Sequence, residues 1–239
     1  MQVNTYQLIE GARKAEGTAV IIDVFRAFSL ACYLFERGVK KIIPVGKLEK
    51  AYELKKYNPD YLLFGERNER VPEGFDYGNS PTHVENLTFP GKTVIHTTSA
   101  GTQGISNALN AREIITGSLV NASAIATYLK KNNPDNVSLV CMGYGALYPA
   151  DEDTFCAEYI QSILENKPYP IQDKIEELKT GSGKRLLDPK NQSFSPARDF
   201  DLCTNLNAFN FVLKVNQDEK TGSRYLEKIS LSRFVVPHG

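Results

Sequence analysis

Carboxylates and guanidiniums recur immediately after short apolar blocks in this chain. Asp23 and Arg26 follow the run at 19–22, and Glu66, Arg67 and Arg70 follow the run at 61–64. Glu152 and Asp153 come a few residues after the run at 137–142. Hard carboxylate oxygens gathered from separate segments suit magnesium, completed by waters and a substrate phosphate. That makes Asp23, Glu66, Glu152 and Asp153 candidate metal ligands, with a salt bridge to a nearby arginine as the competing explanation for each. Guanidiniums offer planar paired donors to phosphate or carboxylate, so Arg26, Arg67 and Arg70 are candidate anion binders.

Between these groups lies Thr97-Thr98-Ser99-Ala100-Gly101-Thr102. It has the logic of an anion cradle: Gly101 permits close backbone approach, the hydroxyls donate, and a following helix presents unpaired N–H groups. The competing reading is an ordinary Ser/Thr-rich helix cap. A fifth polar segment, Gly117-Ser118-Leu119-Val120-Asn121, has the same placement. The three histidines, His83, His96 and His238, show no HExxH or HxxxH spacing, which argues against a catalytic zinc. His96 reads as a hydrogen-bonded histidine at a strand end.

Other chemistries lose support. The GSGK at 181–184 lacks the upstream glycine of a phosphate-binding loop and is followed by Arg185 instead of Ser or Thr. No GxSxG elbow or GxGxxG follows an apolar block. Cys32, Cys141, Cys156 and Cys203 contain no CxxC pair and read as small buried residues, so neither a structural zinc nor a disulfide framework is indicated.

Positioning such groups requires an α/β sheet, whose ligands gather outside the carboxyl ends of the strands. The strand-like blocks fall at 19–23, 41–45, 61–64, 93–96, 113–116, 137–142 and 233–236, several of them continuously apolar as expected of strands covered on both faces. Helical periods lie at 27–37, 48–57, 102–110, 122–131 and 153–165, and 206–215 also reads as helix. The expected fold is α/β, a three-layer α/β/α arrangement with a mostly parallel or mixed sheet whose crossovers deliver the polar groups to one rim. At 239 residues it fits one domain over 1–239, or two lobes of about 1–116 and 117–239. Residues 180–204, rich in Gly, Ser, Pro and Asn, read as an irregular connection that could serve as a lid.

Lys plus Arg equals Asp plus Glu at 28 each, so the overall positive charge that drives binding to nucleic acid or anionic membranes is missing. No apolar run approaches the roughly 18–20 residues of a membrane span, and no signal peptide is readable. The expectation is a cytoplasmic protein with a small-molecule partner, compatible with a homo-oligomer.

The ordered set VIIDVFRAFS (20–29), GERNERVPEGFDYGNSP (65–81), TTSAGTQGI (97–105), GSLVNASA (117–124) and EDTFCA (152–157) resembles the 2-phosphosulfolactate phosphatase family, the magnesium-dependent phosphatases of coenzyme M biosynthesis. The resemblance implies hydrolysis of a phosphate monoester on a 2-hydroxy acid that also carries a sulfonate, with Mg2+ as cofactor. On that footing Asp23, Arg26 and Thr98 are expected to be catalytic, and Asp23, Glu66 and Asp153, with Glu152 next, to hold the metal. Asp23 alternatively serves as the base that orients water. Arg26, Arg67, Thr97, Thr98, Gly101 and Thr102 are expected at the phosphate, Asn79, Ser80, Ser118 and Asn121 at the acid end, and Ser99 among the substrate-binding residues. Attack by water is favoured, with a Thr or Asp nucleophile as the alternative. The rival readings are the same machinery acting on another small phospho acid, and a non-catalytic protein that binds an anionic metabolite.

Overall fold

A computed structural model describes residues 1–231. The strand expected at 233–236, and His238, lie outside the described residues. The first apolar block becomes β2 (Gly17–Ile22) and shows why the sheet is covered on both sides. Ala19 and Ile21 pack into one core with residues of α1 (Leu8–Lys14), α2 (Ala27–Glu36) and α4 (Gly101–Asn107). Val20 and Ile22 point the opposite way, into a second core with α5 (Ala122–Asn132), α6 (Asp151–Glu165) and α7 (Ile171–Leu178). This alternation makes the fold a three-layer α/β/α sandwich. Residues 27–35 of α2 are all buried, the pattern of a helix enclosed on every side, which fixes the turn just before it.

The remaining strands are β1 (Gln2–Gln7), β3 (Lys41–Pro44), β4 (Leu62–Gly65), β5 (Thr93–Thr97), β6 (Ala111–Gly117), β7 (Asn136–Cys141), β8 (Phe211–Gln217) and β9 (Arg224–Ser230). They form one nine-stranded sheet in the order β1-β7-β2-β6-β8-β9-β3-β5-β4. Strands β1, β7, β2 and β6 are mutually parallel, as are β3, β5 and β4, with α3 (Leu48–Tyr57) covering the latter group. Each pairing in the β6-β8-β9-β3 series is antiparallel, so the two parallel blocks run in opposite senses. The joints are thin. Only Ile115↔Lys214 and Thr116↔Leu213 join β6 to β8, and only Ile42↔Leu226 joins β3 to β9. A core containing Ile21, Ile42, Phe64, Leu213 and Leu226 ties both blocks to α2.

Three expectations change. The helix expected at 206–215 is instead the approach to β8: Phe211 and Leu213 enter one core and Val212 the other, a period of two that a short apolar run does not distinguish from helix. Residues 180–204 are only partly irregular, containing α8 (Lys184–Leu187), a 3-10 turn at Pro189–Asn191 and α9 (Arg198–Cys203). The single rim is replaced by two carboxyl edges, one from each block, which meet at the site.

Candidate active site

The turn after β2 enters the site first. The Asp23 N–H donates to the Gly117 carbonyl at 3.1 Å, continuing the β2–β6 pairing by one residue. Its Oδ1 accepts the Ala27 N–H at 3.2 Å and so caps the first turn of α2, while the Gly101 N–H, arriving from the opposite block, lies near enough to favour the charged carboxylate. Burial pushes the Asp23 carboxyl up to about 6, with the charges of Glu66 and Glu152 adding to the rise against the two N–H donors. Gly101 is needed for packing: a Cβ there would stand 2.8 Å from Asp23 Oδ2 and 2.9 Å from the Ala27 Cβ. The close approach it permits is between helix starts of the two blocks.

Arg26 lies at the floor of a cavity of about 170 Å3, together with Asp23, Glu66, Asn79 and Ser99. Its Nη1 donates to Asp199 Oδ2 at 2.9 Å and to the Phe194 carbonyl at 3.1 Å. Asp199 is fully buried, and its Oδ1 accepts from Ser80 Oγ at 2.7 Å, the Thr82 N–H at 3.0 Å and Thr82 Oγ1 at 2.7 Å. Such a pair is tolerated in the interior because four hydrogen bonds reach the carboxylate. Among the described residues, Arg26 Nε and Nη2 make no hydrogen bond, which leaves two guanidinium donors for a ligand.

Glu66, at the end of β4, is clasped by the neighbouring loop. Oε1 accepts the Ser99 N–H at 2.6 Å, and Oε2 accepts Ser99 Oγ at 3.0 Å and the Glu69 N–H at 2.9 Å. Asn79 Oδ1 faces His96 Nε2 at 3.2 Å, so that nitrogen carries the ring proton and orients the amide. Burial, with the nearby Arg67 charge, takes the His96 pKa down to about 4, keeping the ring neutral.

Asp153 Oδ1 accepts the Val24 N–H and Oδ2 the Gly143 N–H, both at 2.8 Å, stitching the β2 turn to the loop before α6. Burial, followed by the charges of Glu152 and Asp23, raises its carboxyl well above the usual range. Glu152 is buried beside it, with Oε1 3.6 Å from Arg185 Nη2 and Oε2 without a hydrogen-bond partner. Among the described residues, no three His, Cys, Asp or Glu side chains close around one point as a protein-built cage. Asp23 and Glu66 line the cavity, and the charges of Glu66 and Glu152 bear on Asp23, so the hard oxygens at hand are carboxylates from separate segments. That set fits a magnesium ion held by one or two carboxylates and completed by waters.

The other sequence candidates lie around the cavity rather than in its wall. Arg67 turns its guanidinium to the carbonyls of Glu66 and Gly46 and to Thr97 Oγ1, at 2.7, 2.9 and 2.6 Å. Thr98 Oγ1 accepts the Thr102 N–H at 3.2 Å, and Thr102 Oγ1 accepts the Thr98 N–H at 2.9 Å, so this pair closes on itself as a helix cap. Ser118 and Asn121 form a capping box for the turn before α5, with Ser118 Oγ 2.6 Å from Ser29 Oγ. Ser80 serves Asp199, and Arg70 stacks on the Phe194 ring at 3.5 Å. The four cysteines are buried and free, and burial pushes every thiol up, away from thiolate chemistry.

Phe25, Glu69, Tyr144, Tyr148, Arg185 and Asp199 were not legible in advance, yet all but Asp199 line the cavity and Asp199 supports it. The signal that would find them is three-dimensional: Asp199 meets a partner 173 residues away.

A family model described as 2-phosphosulpholactate phosphatase matches residues 3–218. Three relatives are each named a probable 2-phosphosulfolactate phosphatase. One from Caldanaerobacter subterraneus is 40% identical over 62% of this chain and 62% of its own. One from Bacillus subtilis is 34% identical over 83% and 87%, and one from Carboxydothermus hydrogenoformans is 36% identical over 89% and 92%. With its family match running from β1 into the hairpin after β8, the chain belongs to the 2-phosphosulfolactate phosphatase family of phosphoric monoester hydrolases.

Proposed function

We propose that this chain hydrolyses 2-phospho-3-sulfolactate to 3-sulfolactate and phosphate with the help of magnesium. The observation that carries the reading is the floor of the cavity, where the free Nε and Nη2 of Arg26 stand among the carboxylates Asp23 and Glu66. A guanidinium anchored beside cation-seeking oxygens is what a phosphoryl group shared between protein and metal requires. The relatives named for this substrate support the alcohol part.

Asp23 and Glu66 would hold the cation, with the charge of the buried Glu152 behind them. When bound, magnesium supplies charge neutralisation on the phosphoryl oxygens and a lower pKa for water. The chain does the rest. Arg26 takes two phosphoryl oxygens with donors that Asp199 prevents from turning away. Asn79, oriented by His96, presents its amide N–H to the substrate. Water is the nucleophile, since the thiols are buried and Ser99 Oγ already donates to Glu66. The phosphorus–alcohol oxygen bond breaks as the phosphorus–water oxygen bond forms, one water proton passing to the leaving alcohol oxygen and the other remaining on the departing hydrogenphosphate. Thr98 is assigned to helix capping.

Phosphate release from 2-phospho-3-sulfolactate tests the reading. Turnover should vanish with excess chelator and return with magnesium or manganese. Full activity in chelator would remove the metal, and no release from any small phospho acid would leave an anion-binding protein.

A further inference from the structure

Arg185 is the second guanidinium of the cavity, and no sequence motif points to it. It is delivered by α8, far along the chain from the polar segments that follow the strands. Nη1 donates to Glu69 Oε1 at 2.7 Å, and Nη2 donates to the Phe25 carbonyl at 3.2 Å and lies 3.6 Å from Glu152 Oε1. Nε makes no hydrogen bond among the described residues. The guanidinium carbon stands 5.0 Å from the Tyr144 ring centroid and 5.9 Å from that of Phe25. Arg185 thus touches the turn after β2, the arm after β4 and the loop before α6.

A substrate that carries an acid group beside its phosphate needs two cations. Arg67 is consumed by backbone carbonyls and Arg70 by the Phe194 ring, so the cavity wall offers Arg26 and Arg185. They are not equivalent. The Arg26 pair is sealed, with side-chain exposures of 3% and 0%, whereas the Arg185–Glu69 pair is at 22% and 20%. A partly hydrated ion pair is held weakly and exchanges its anion readily. Glu69 therefore acts as a placeholder that an incoming acid group displaces, while the aromatic rings keep the guanidinium plane in position.

We propose that Arg185 is the specificity-determining residue of this site, binding the sulfonate or carboxylate of the alcohol part while Arg26 holds the phosphate. The inference rests on the phosphatase reading above and adds the residue that reads the acid.

The test compares two phosphate monoesters, 2-phospho-3-sulfolactate and glycerol 2-phosphate, the second having hydroxymethyl groups in place of the carboxylate and the sulfomethyl group. Arg185→Gln should lower kcat/KM for the acid substrate about 10- to 100-fold, mostly through KM, because a charge-assisted contact is lost. For glycerol 2-phosphate the change should stay within about threefold, and Arg185→Lys should restore part of the lost preference by returning the charge without the fork. Independently of turnover, 3-sulfolactate should raise the melting temperature of the unsubstituted protein and not that of Arg185→Gln. Equal losses on both esters, or no loss on the acid ester, would overturn the assignment while leaving the phosphatase reading intact. If the unsubstituted protein hydrolyses neither ester, the phosphatase reading fails and this assignment goes with it.

Discussion

The floor and the mouth of the cavity use the same pair of chemical groups for different ends. At the floor, Arg26 meets Asp199 in full burial, and Ser80 and Thr82 satisfy the remaining oxygen. At the mouth, Arg185 meets Glu69 at a shorter distance, 2.7 Å against 2.9 Å, but with water at hand. Distance alone would rank the mouth pair as stronger. Burial reverses the ranking, because a desolvated charge cannot recover its hydration when the partner is removed. The lesson is that the sealed pair fixes geometry and the open pair permits exchange.

The largest effect should come from breaking the floor. Asp199→Ala leaves the Arg26 charge uncompensated and removes the acceptor of three further hydrogen bonds, a loss of about 3–5 kcal/mol in unfolding free energy. Denaturant melts should show it, and a loss below about 1 kcal/mol would mean that water reaches Arg26.

How much of this was legible differs between the two ends. Asp23, Arg26, Glu66, Asn79 and Ser99 could be chosen because each follows an apolar block within a few residues or shares a segment with one that does, and all five line the cavity. The same rule also chose Ser118, Asn121, Thr98 and Thr102, which close helix starts, since capping and ligand binding recruit the same side chains. The opposed sense of the two parallel blocks was not legible. It depends on β8 and β9, and the apolar core of β8 fits either period when read alone. Arg185 and Asp199 were hidden because their value arises from partners brought together only by folding.

Next in size are the titrations of the buried groups around the floor. His96 has its pKa lowered from 6.5 to about 4, so between these values the unfolded chain binds the extra proton. Its contribution is complete above about 6.5 and is lost as the pH falls towards 4, up to about 3 kcal/mol in all. Asp23 has the opposite sign. Its carboxyl is raised from 3.8 to about 6, so its burial costs stability above about 6 and costs little below 3.8. In chelator the two slopes oppose one another across pH 4–6. Asp23→Asn should remove one of them, and urea melts of that variant should steepen with pH over this window, rising towards neutrality. An unchanged profile would show that Asp23 is already solvated or paired.

Arg26→Lys sharpens the comparison without emptying the floor. The ammonium can still pair with Asp199 but cannot also offer a planar fork to the phosphoryl group. A loss of about 10²-fold in kcat, near 2.7 kcal/mol, is expected with the fold retained by circular dichroism. Near-normal turnover would reduce Arg26 to a structural partner of Asp199.

The smallest effects belong to polar groups outside the cavity wall, and Thr98 is the clearest of them. Its hydroxyl accepts the Thr102 N–H at 3.2 Å and stands 3.4 Å from Thr102 Oγ1, so its bonding is spent within one helix start. Capping acts on the folded state and leaves the reaction barrier unaffected, so Thr98→Ala should cost about 1 kcal/mol of stability and change kcat/KM by less than about threefold. Were Thr98 instead a phosphoryl donor, the loss would be about 10²-fold in rate with little change in melting temperature. Measuring both on one variant separates the two roles, because a cap and a donor exchange which quantity moves.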